Sequence, residues 1–435
     1  MKNILIKEGW YDKKIIYYLI LLYLIFCSAG LFIVNDSTKT NNYSTYLQLF
    51  NAILYFISII IIYNKRKYTY LIIKNNLNFY LIFLFMLIIL LSFLWSGNPI
   101  LTLRKSIAML GTTLVFISIF LLYMDDIFKL IYKSIYITML LSLVYAIFLP
   151  NIAYLKDPRG IFLKGIFWHK NQFAYIAGLF LVMNLIHFCF NKKNKIINIL
   201  LIILSIIFLN NAGCVGAVLA TFISIIIFLI IYNYNKILNK NVKLIFIMFS
   251  FIVFFTIPII AFISYSLSND NNIFNLIGRD DTLTGRSLIW KAFIIYSFKE
   301  KPILGYGFES NDLLSVIGIN NLISLAGFIP SHLHNSFLDV LFNLGLIGLI
   351  IFIFIFISSI YNQVINIKFI IYNYKKNVKD YIYFKNLILC LIILIFILIR
   401  SILETPIMKY NSFWWIIFGL INMYNIYYKN IIKKL

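Results

Sequence analysis

The chain has 435 residues, of which 62% are hydrophobic and only 12% charged, with 38 Lys and Arg against 15 Asp and Glu for a net charge of +23. Soluble domains run nearer half apolar and a quarter charged, so a soluble globular fold is excluded. Nucleic acid is excluded as the reason for the positive charge, because the cations sit in short segments between long apolar runs, which is the pattern of membrane topology control.

Apolar runs long enough to cross a bilayer as helices recur along the whole length. The pattern predicts about twelve spans, at 14–34, 44–63, 79–95, 106–122, 130–149, 172–190, 196–210, 213–232, 243–266, 336–360, 384–403 and 412–428. The fold class expected is an all-α integral membrane protein with one long outer loop. Three parts follow: a transmembrane bundle of about nine helices over 1–266, a large loop over 267–335, and about three further helices over 336–435. The first run lacks a small-residue cleavage pattern and precedes many others, so it reads as a retained helix. Asn210-Asn211-Ala212-Gly213 separates the seventh and eighth spans, as a tight helical hairpin or as a broken, partly re-entrant element.

Most of the Lys and Arg residues fall on one set of alternate segments, such as Lys65, Arg66 and Lys67, or Lys192, Lys193 and Lys195. The positive-inside rule makes that side cytoplasmic, with both termini inside. The other cations oppose this bias, and an anionic substrate is the expected reason. Four cysteines, Cys27, Cys189, Cys214 and Cys390, lie in or beside apolar runs without metal-binding or disulfide spacing, and read as small core residues.

The first outer cluster precedes the sixth span. Arg159, Lys164, His169 and Lys170 fall within about a dozen residues, with Gly160 and Gly165 freeing backbone amides and Trp168 as an interfacial anchor. This suits a phosphate or diphosphate at the bilayer surface. Arg104 and Lys105 also oppose the charge bias, after Ser96-Gly97-Asn98-Pro99.

In the long loop, Gly285 to Phe298 alternates as an amphipathic surface helix, with Thr284 placed to cap it. Arg286 is a planar cation able to grip phosphate oxygens with two N–H groups, or to snorkel from an interfacial helix. Arg279 with Asp280 and Asp281 reads as a solvated turn. His332 and His334, two of four histidines, end the loop beside Asn335. His334 suits a general base at the outer face; the alternative is an interfacial histidine satisfying a helix start. A metal site needs a third ligand. Asp339 and Glu309 are the sequence candidates, but no recognised ligand spacing is present, so no metal is expected. Arg400 and Glu404, one helical turn apart at the outer end of the eleventh span, form an intramembrane charge pair, functional or structural.

Three motifs in order carry a resemblance to the O-antigen ligase and polymerase superfamily of bacterial membrane proteins. They are Leu283-Thr284-Gly285-Arg286-Ser287-Leu288-Ile289-Trp290, Lys301-Pro302-Ile303-Leu304-Gly305-Tyr306-Gly307, and His332-Leu333-His334-Asn335-Ser336-Phe337-Leu338 followed by Leu344-Gly345-Leu346-Ile347-Gly348. Gly165-Ile166-Phe167-Trp168-His169-Lys170-Asn171, Arg400-Ser401-Ile402-Leu403-Glu404 and Phe413-Trp414 resemble the exopolysaccharide polymerase branch. One departure stands near Asn211 to Ala217, where the family often carries Ser with Lys or Arg and this chain has no cation.

The resemblance implies a GT-C-like glycosyltransferase of the bacterial inner membrane, with its site at the periplasmic face. It implies metal-independent inverting transfer, without a cofactor, from an undecaprenyl-diphosphate-linked oligosaccharide. Arg159, Lys164, His169, Lys170, Arg286 and Arg400 are the expected diphosphate-binding residues, His334 and Arg286 the expected catalytic ones, and His332, Asn335 and Glu404 the supporting ones. A Wzy-type polymerase, joining lipid-linked repeat units, is the first expectation. A ligase acting on lipid A-core or protein is the second. A transporter or flippase is the third, against which stands the lack of an internal repeat. Membrane lipid, a chain-length regulator and a flippase are the expected partners.

Overall fold

The computed structural model describes residues 13–29, 41–74, 77–157, 160–191, 195–234, 286–310, 332–373 and 378–432. The expected span at 243–266, the start of the long loop with Arg279, Asp280, Asp281, Thr284 and Gly285, and Arg159 lie outside them.

The described residues are almost entirely helical. In order come α1 (Lys13–Ala29), α2 (Asn41–Asn64), α3 (Arg66–Ile73), α4 (Leu77–Leu91), α5 (Pro99–Tyr123), α6 (Ile127–Phe148), α7 (Pro150–Ala153), strands β1 (Tyr154–Asp157) and β2 (Gly160–Leu163), α8 (Lys170–Phe190), α9 (Lys195–Asn211), α10 (Val215–Tyr234), α11 (Arg286–Phe293), α12 (Ser336–Asn373), α13 (Val378–Leu403) and α14 (Phe413–Ile432). Among the described residues, eight helices are long and apolar enough to cross a membrane, and three shorter apolar helices accompany them: Lys14–Ala29, Lys195–Asn211 and Phe413–Tyr424. The chain is a multi-pass, helical membrane protein.

Burial separates inner from outer helices. The α8 span is 83% buried and those of α5 and α13 are 67% buried, whereas the α2 span is 22% buried. Helix α8 packs against α9, α10, α13 and α6, and α5 packs against α2, α14 and α4. Trp415, fully buried on α14, contacts the rings of Phe85 and Phe116 and donates its indole N–H to Thr113 at 3.0 Å. Asn78 and Ser359 both donate to Asn422 Oδ1, tying α4, α12 and α14 together. Side-chain polar bonds of this kind hold helices that lipid cannot squeeze together.

Two features depart from the sequence expectation. The segment before the sixth span contains a β-hairpin, with Tyr154 opposite Leu163 and Asp157 opposite Gly160. Its base is closed by the Lys164 and Gly165 amides donating to Ala153 O at 2.8 and 3.0 Å. Helices α9 and α10 join through Ala212–Cys214, with Gly213 at φ 57°. Both helices pack along α8 rather than along each other, so they do not form the tight hairpin that one reading of the sequence predicts. Gly213 is required there: a Cβ would lie 2.2 Å from the Phe162 ring of the β-hairpin.

The Lys301–Gly307 motif has a structural role that its sequence does not show. It crosses a kink in α12 at Gly345, where φ is 63° and ψ −164°. The kink frees helix backbone groups, and the loop satisfies them. Tyr306 and Gly307 amides donate to Phe342 O and Asn343 O at 2.9 and 2.8 Å, and the Leu346 amide donates to Pro302 O at 2.8 Å. A Cβ on Gly345 would stand 2.1 Å from Ile303 O, and one on Gly305 would stand 2.6 Å from Gly345 N. Both neighbours are backbone and cannot swing aside. Gly345→Ala is therefore expected to destabilise the bundle by about 2 kcal/mol or more, from the left-handed φ alone. Detergent thermostability checks this, and an unchanged midpoint would contradict it.

Candidate functional site

The site is built around Glu404, the first residue beyond α13. Its backbone amide donates to Arg400 O at 2.7 Å, continuing the helical turn. Its carboxylate gathers side chains from three distant segments. Arg286, the first residue of α11, donates Nη2–H to Oε1 at 2.8 Å and Nη1–H to Leu403 O. Asn171, in the first turn of α8, donates to the same Oε1 at 3.0 Å. The Nδ1 atom of His334 lies 3.1 Å from Oε2, and Nε2 of His332 lies 3.9 Å from it. Ser336 donates to Glu404 O at 3.2 Å. Since a carboxylate only accepts, the short contact places the proton of a neutral His334 on Nδ1 and leaves Nε2 with a free lone pair.

The histidines are held by the residue between them. Leu333 is fully buried in a second apolar cluster with Ile289, Phe293, Tyr306 and Phe342. Its amide donates to Asp339 at 3.0 Å, and its carbonyl accepts the Trp290 indole N–H at 2.8 Å. With Leu333 turned inward, His332 and His334 stand beside each other with ring centroids 4.0 Å apart. His334 adopts φ 51°, and Asn335 then caps α12 by accepting the Phe337 and Leu338 amides. Helix α11 thus carries Arg286 on one turn and grips the histidine turn with the next. It is shorter than the amphipathic pattern implied, passing at Ile294 into a π-helical turn that runs to Phe298. Its apolar face, Ile289, Ala292 and Phe293, is buried against protein. Trp290→Phe keeps the ring and removes one hydrogen bond, a change worth about 1 kcal/mol. Roughly fivefold slower turnover at an unchanged membrane level is expected, and wild-type turnover would remove the positioning role of Trp290.

The electrostatics set protonation. Burial raises the Glu404 pKa, but the hydrogen bond from His334 and the neighbouring Arg286 cation outweigh it and hold the group well below the ordinary carboxylate range. Burial lowers the His332 pKa to about 4 against the raising effect of Glu404, leaving the ring neutral at pH 7. His169 is lowered in the same direction, chiefly by burial.

The other sequence-predicted residues are placed as follows. His169 caps α8, its Nδ1 accepting the Asn171 amide at 3.1 Å, so it orients the asparagine that reaches Glu404. Lys170 is 2% exposed, with Nζ 2.9 Å from Asp157 and 3.4 Å from the Phe162 ring centroid. Its charge is therefore matched within the β-hairpin. Lys164 is half-buried at the hairpin base. Arg400 forms no ion pair with Glu404; its guanidinium lies 4.5 Å from the Tyr175 ring and 4.1 Å from the Trp414 ring, with Nε and Nη1 buried and without hydrogen-bond partners among the described residues. Glu309 pairs with Lys105 at 3.5 Å, and Asp339 is committed to the Leu333 amide. The carboxylate beside the histidines is Glu404 instead, 70 residues beyond His334. Asn171 and Trp290 were legible only as motif residues; the signal for Asn171 is its place directly after the His-Lys pair at a helix start.

Residues 199–353 match the O-antigen ligase family. The chain is also 31% identical over 97 residues to the "Exopolysaccharide production protein ExoQ" of Rhizobium meliloti (strain 1021), covering 21% of each chain. It is 37% identical over 87 residues to the "Putative polysaccharide ligase" of Rickettsia felis, covering 19% of this chain and 21% of that one. The chain thus matches about a fifth of the length of each curated relative. These matches bear out the resemblance to the O-antigen ligase and polymerase superfamily. The family match contains Arg286 and His334 and ends before Glu404.

Proposed function

We propose that this chain is a glycosyltransferase that builds or transfers polysaccharide, using a glycan linked to undecaprenyl diphosphate at the periplasmic face of the bacterial inner membrane, with both termini cytoplasmic. The observation that carries the reading is the convergence of Arg286 and His334 on opposite oxygens of Glu404.

The chemistry follows from that arrangement. An acceptor sugar hydroxyl attacks the anomeric carbon from the face opposite the diphosphate. His334 Nε2 takes the hydroxyl proton as the new glycosidic bond forms, and Glu404 stabilises the resulting imidazolium. The bond to the diphosphate oxygen breaks, and negative charge grows on that leaving group. Arg286 has five N–H groups and spends two on Leu403 and Glu404, leaving three for phosphate oxygens. A fixed guanidinium at the edge of a partly dehydrated site stabilises the leaving group without reorganisation. Arg400, one helical turn before Glu404 and with no acidic partner among the described residues, adds positive potential to the site.

Polymerase is the favoured form, supported by the His169-Lys170-Asn171 entry to α8 and by the likeness to an exopolysaccharide production protein. Ligase is the second reading, supported by the family description and by the Rickettsia felis relative. Glycan chain length in a deletion strain separates them. Single-repeat glycan on the final acceptor means polymerase, accumulated lipid-linked polymer means ligase, and loss of outer-face lipid-linked units means a flippase. Complementation with Arg286→Ala, inserted at the wild-type level, is expected to leave the deletion phenotype in place. A wild-type chain-length distribution in that strain would refute the diphosphate role of Arg286.

A further inference from the structure

We propose that His332, His334 and Glu404 also form a reversible seat for one divalent transition-metal ion of the zinc type, and that the metal-bound protein is the inactive form.

The three side chains each offer one ligand atom, and those atoms lie within 4.8 Å of one another. In a tetrahedral zinc site with bonds of about 2.0–2.1 Å, neighbouring ligand atoms stand about 3.3 Å apart. The two contacts to Glu404 Oε2, 3.1 Å from His334 Nδ1 and 3.9 Å from His332 Nε2, bracket that spacing. Small side-chain rotations close the set. Oε2 is available because Arg286 and Asn171 both use Oε1. The imidazoles are 24% and 25% exposed, so an ion can reach them, and a fourth position stays open to water. Two imidazoles with one carboxylate suit zinc, copper or nickel and not magnesium or calcium.

Two features make the seat reversible and inhibitory. The Arg286 guanidinium on the far oxygen of Glu404 repels a second cation and weakens its hold. A metal on His334 Nδ1 moves the ring proton to Nε2, the atom that must be unprotonated to act as a base. The inhibitory consequence rests on the function proposed above; the binding does not.

The test uses the full chain in lipid nanodiscs and Co2+ as the probe, read by its visible d–d absorption. One equivalent per chain is expected, displaced by Zn2+. His332→Ala is expected to weaken binding by about 100-fold or more, since loss of a mere outer-shell partner already costs up to that. His169→Ala is expected to keep wild-type affinity. No saturable spectrum, or an unchanged one in His332→Ala, overturns the seat. Binding that leaves glycosyl transfer at full rate overturns the inhibition. A chain that binds cobalt as expected but shows no transferase activity when metal-free would instead count against the function proposed above.

Discussion

Glu404→Gln is expected to lower turnover by about 10³–10⁴-fold while leaving a folded, inserted protein. The carboxylate accepts on both oxygens: Oε1 from Arg286 and Asn171, Oε2 from His334. An amide has one acceptor and one donor end. If its oxygen faces Arg286, its NH₂ faces His334 Nδ1, which must then accept. The ring proton moves to Nε2, and the base is blocked. In Ser-His-Asp hydrolases the corresponding carboxylate-to-amide change keeps the geometry and costs about 10⁴-fold. The opposite placement turns the NH₂ towards the Arg286 guanidinium and breaks a pair whose side chains are only 11% and 12% exposed. Removing one partner of a buried pair typically costs about 3–5 kcal/mol. Either orientation disables the site. Single-turnover assays with a lipid-linked donor, beside a thermostability curve, separate the two costs. A rate within tenfold of wild type would show that Glu404 does not set the His334 tautomer.

His334→Ala is expected to cost about 10²–10⁴-fold, the usual contribution of a general base. His334→Asn is the better-controlled variant, because asparagine tolerates the left-handed backbone that His334 adopts and alanine does so less readily. Both variants are expected to lose turnover alike. His169→Ala should do much less: it loses a helix cap worth about 1 kcal/mol and loosens Asn171. The decisive comparison is between these two histidines. An active His334→Ala with a dead His169→Ala would move the base to the segment before α8. Loss in His334→Ala with retention in His334→Asn would mean the turn conformation matters and the ring nitrogen does not.

Much of the architecture is legible from residue order. Apolar stretches near 20 residues separated by lysine-rich segments leave little but a helical membrane bundle, because unpaired backbone groups are too costly in lipid. Arg286 and His334 stand out for a similar reason, as polar residues scarce in such a chain and set in short motifs. The role of Glu404 does not stand out. Its sequence neighbour Arg400 offers an obvious partner one turn away, yet Arg400 is stacked between Tyr175 and Trp414. Lys170 misleads in the opposite sense, since Asp157, thirteen residues earlier, is brought to it by strand pairing that local pattern does not reveal.

Sequence alone determined the solvent of this protein, its helical character and the residue types available for anion binding and proton transfer, since burial in lipid constrains every backbone group whatever the tertiary contacts. Only the tertiary structure decided which charges meet. Glu404 reaches Arg286, 118 positions away in the chain, and Asn171, 233 away, because pairing across such distances depends on how helices pack and kink, as at Gly345, and packing is a property of whole surfaces that no short motif contains.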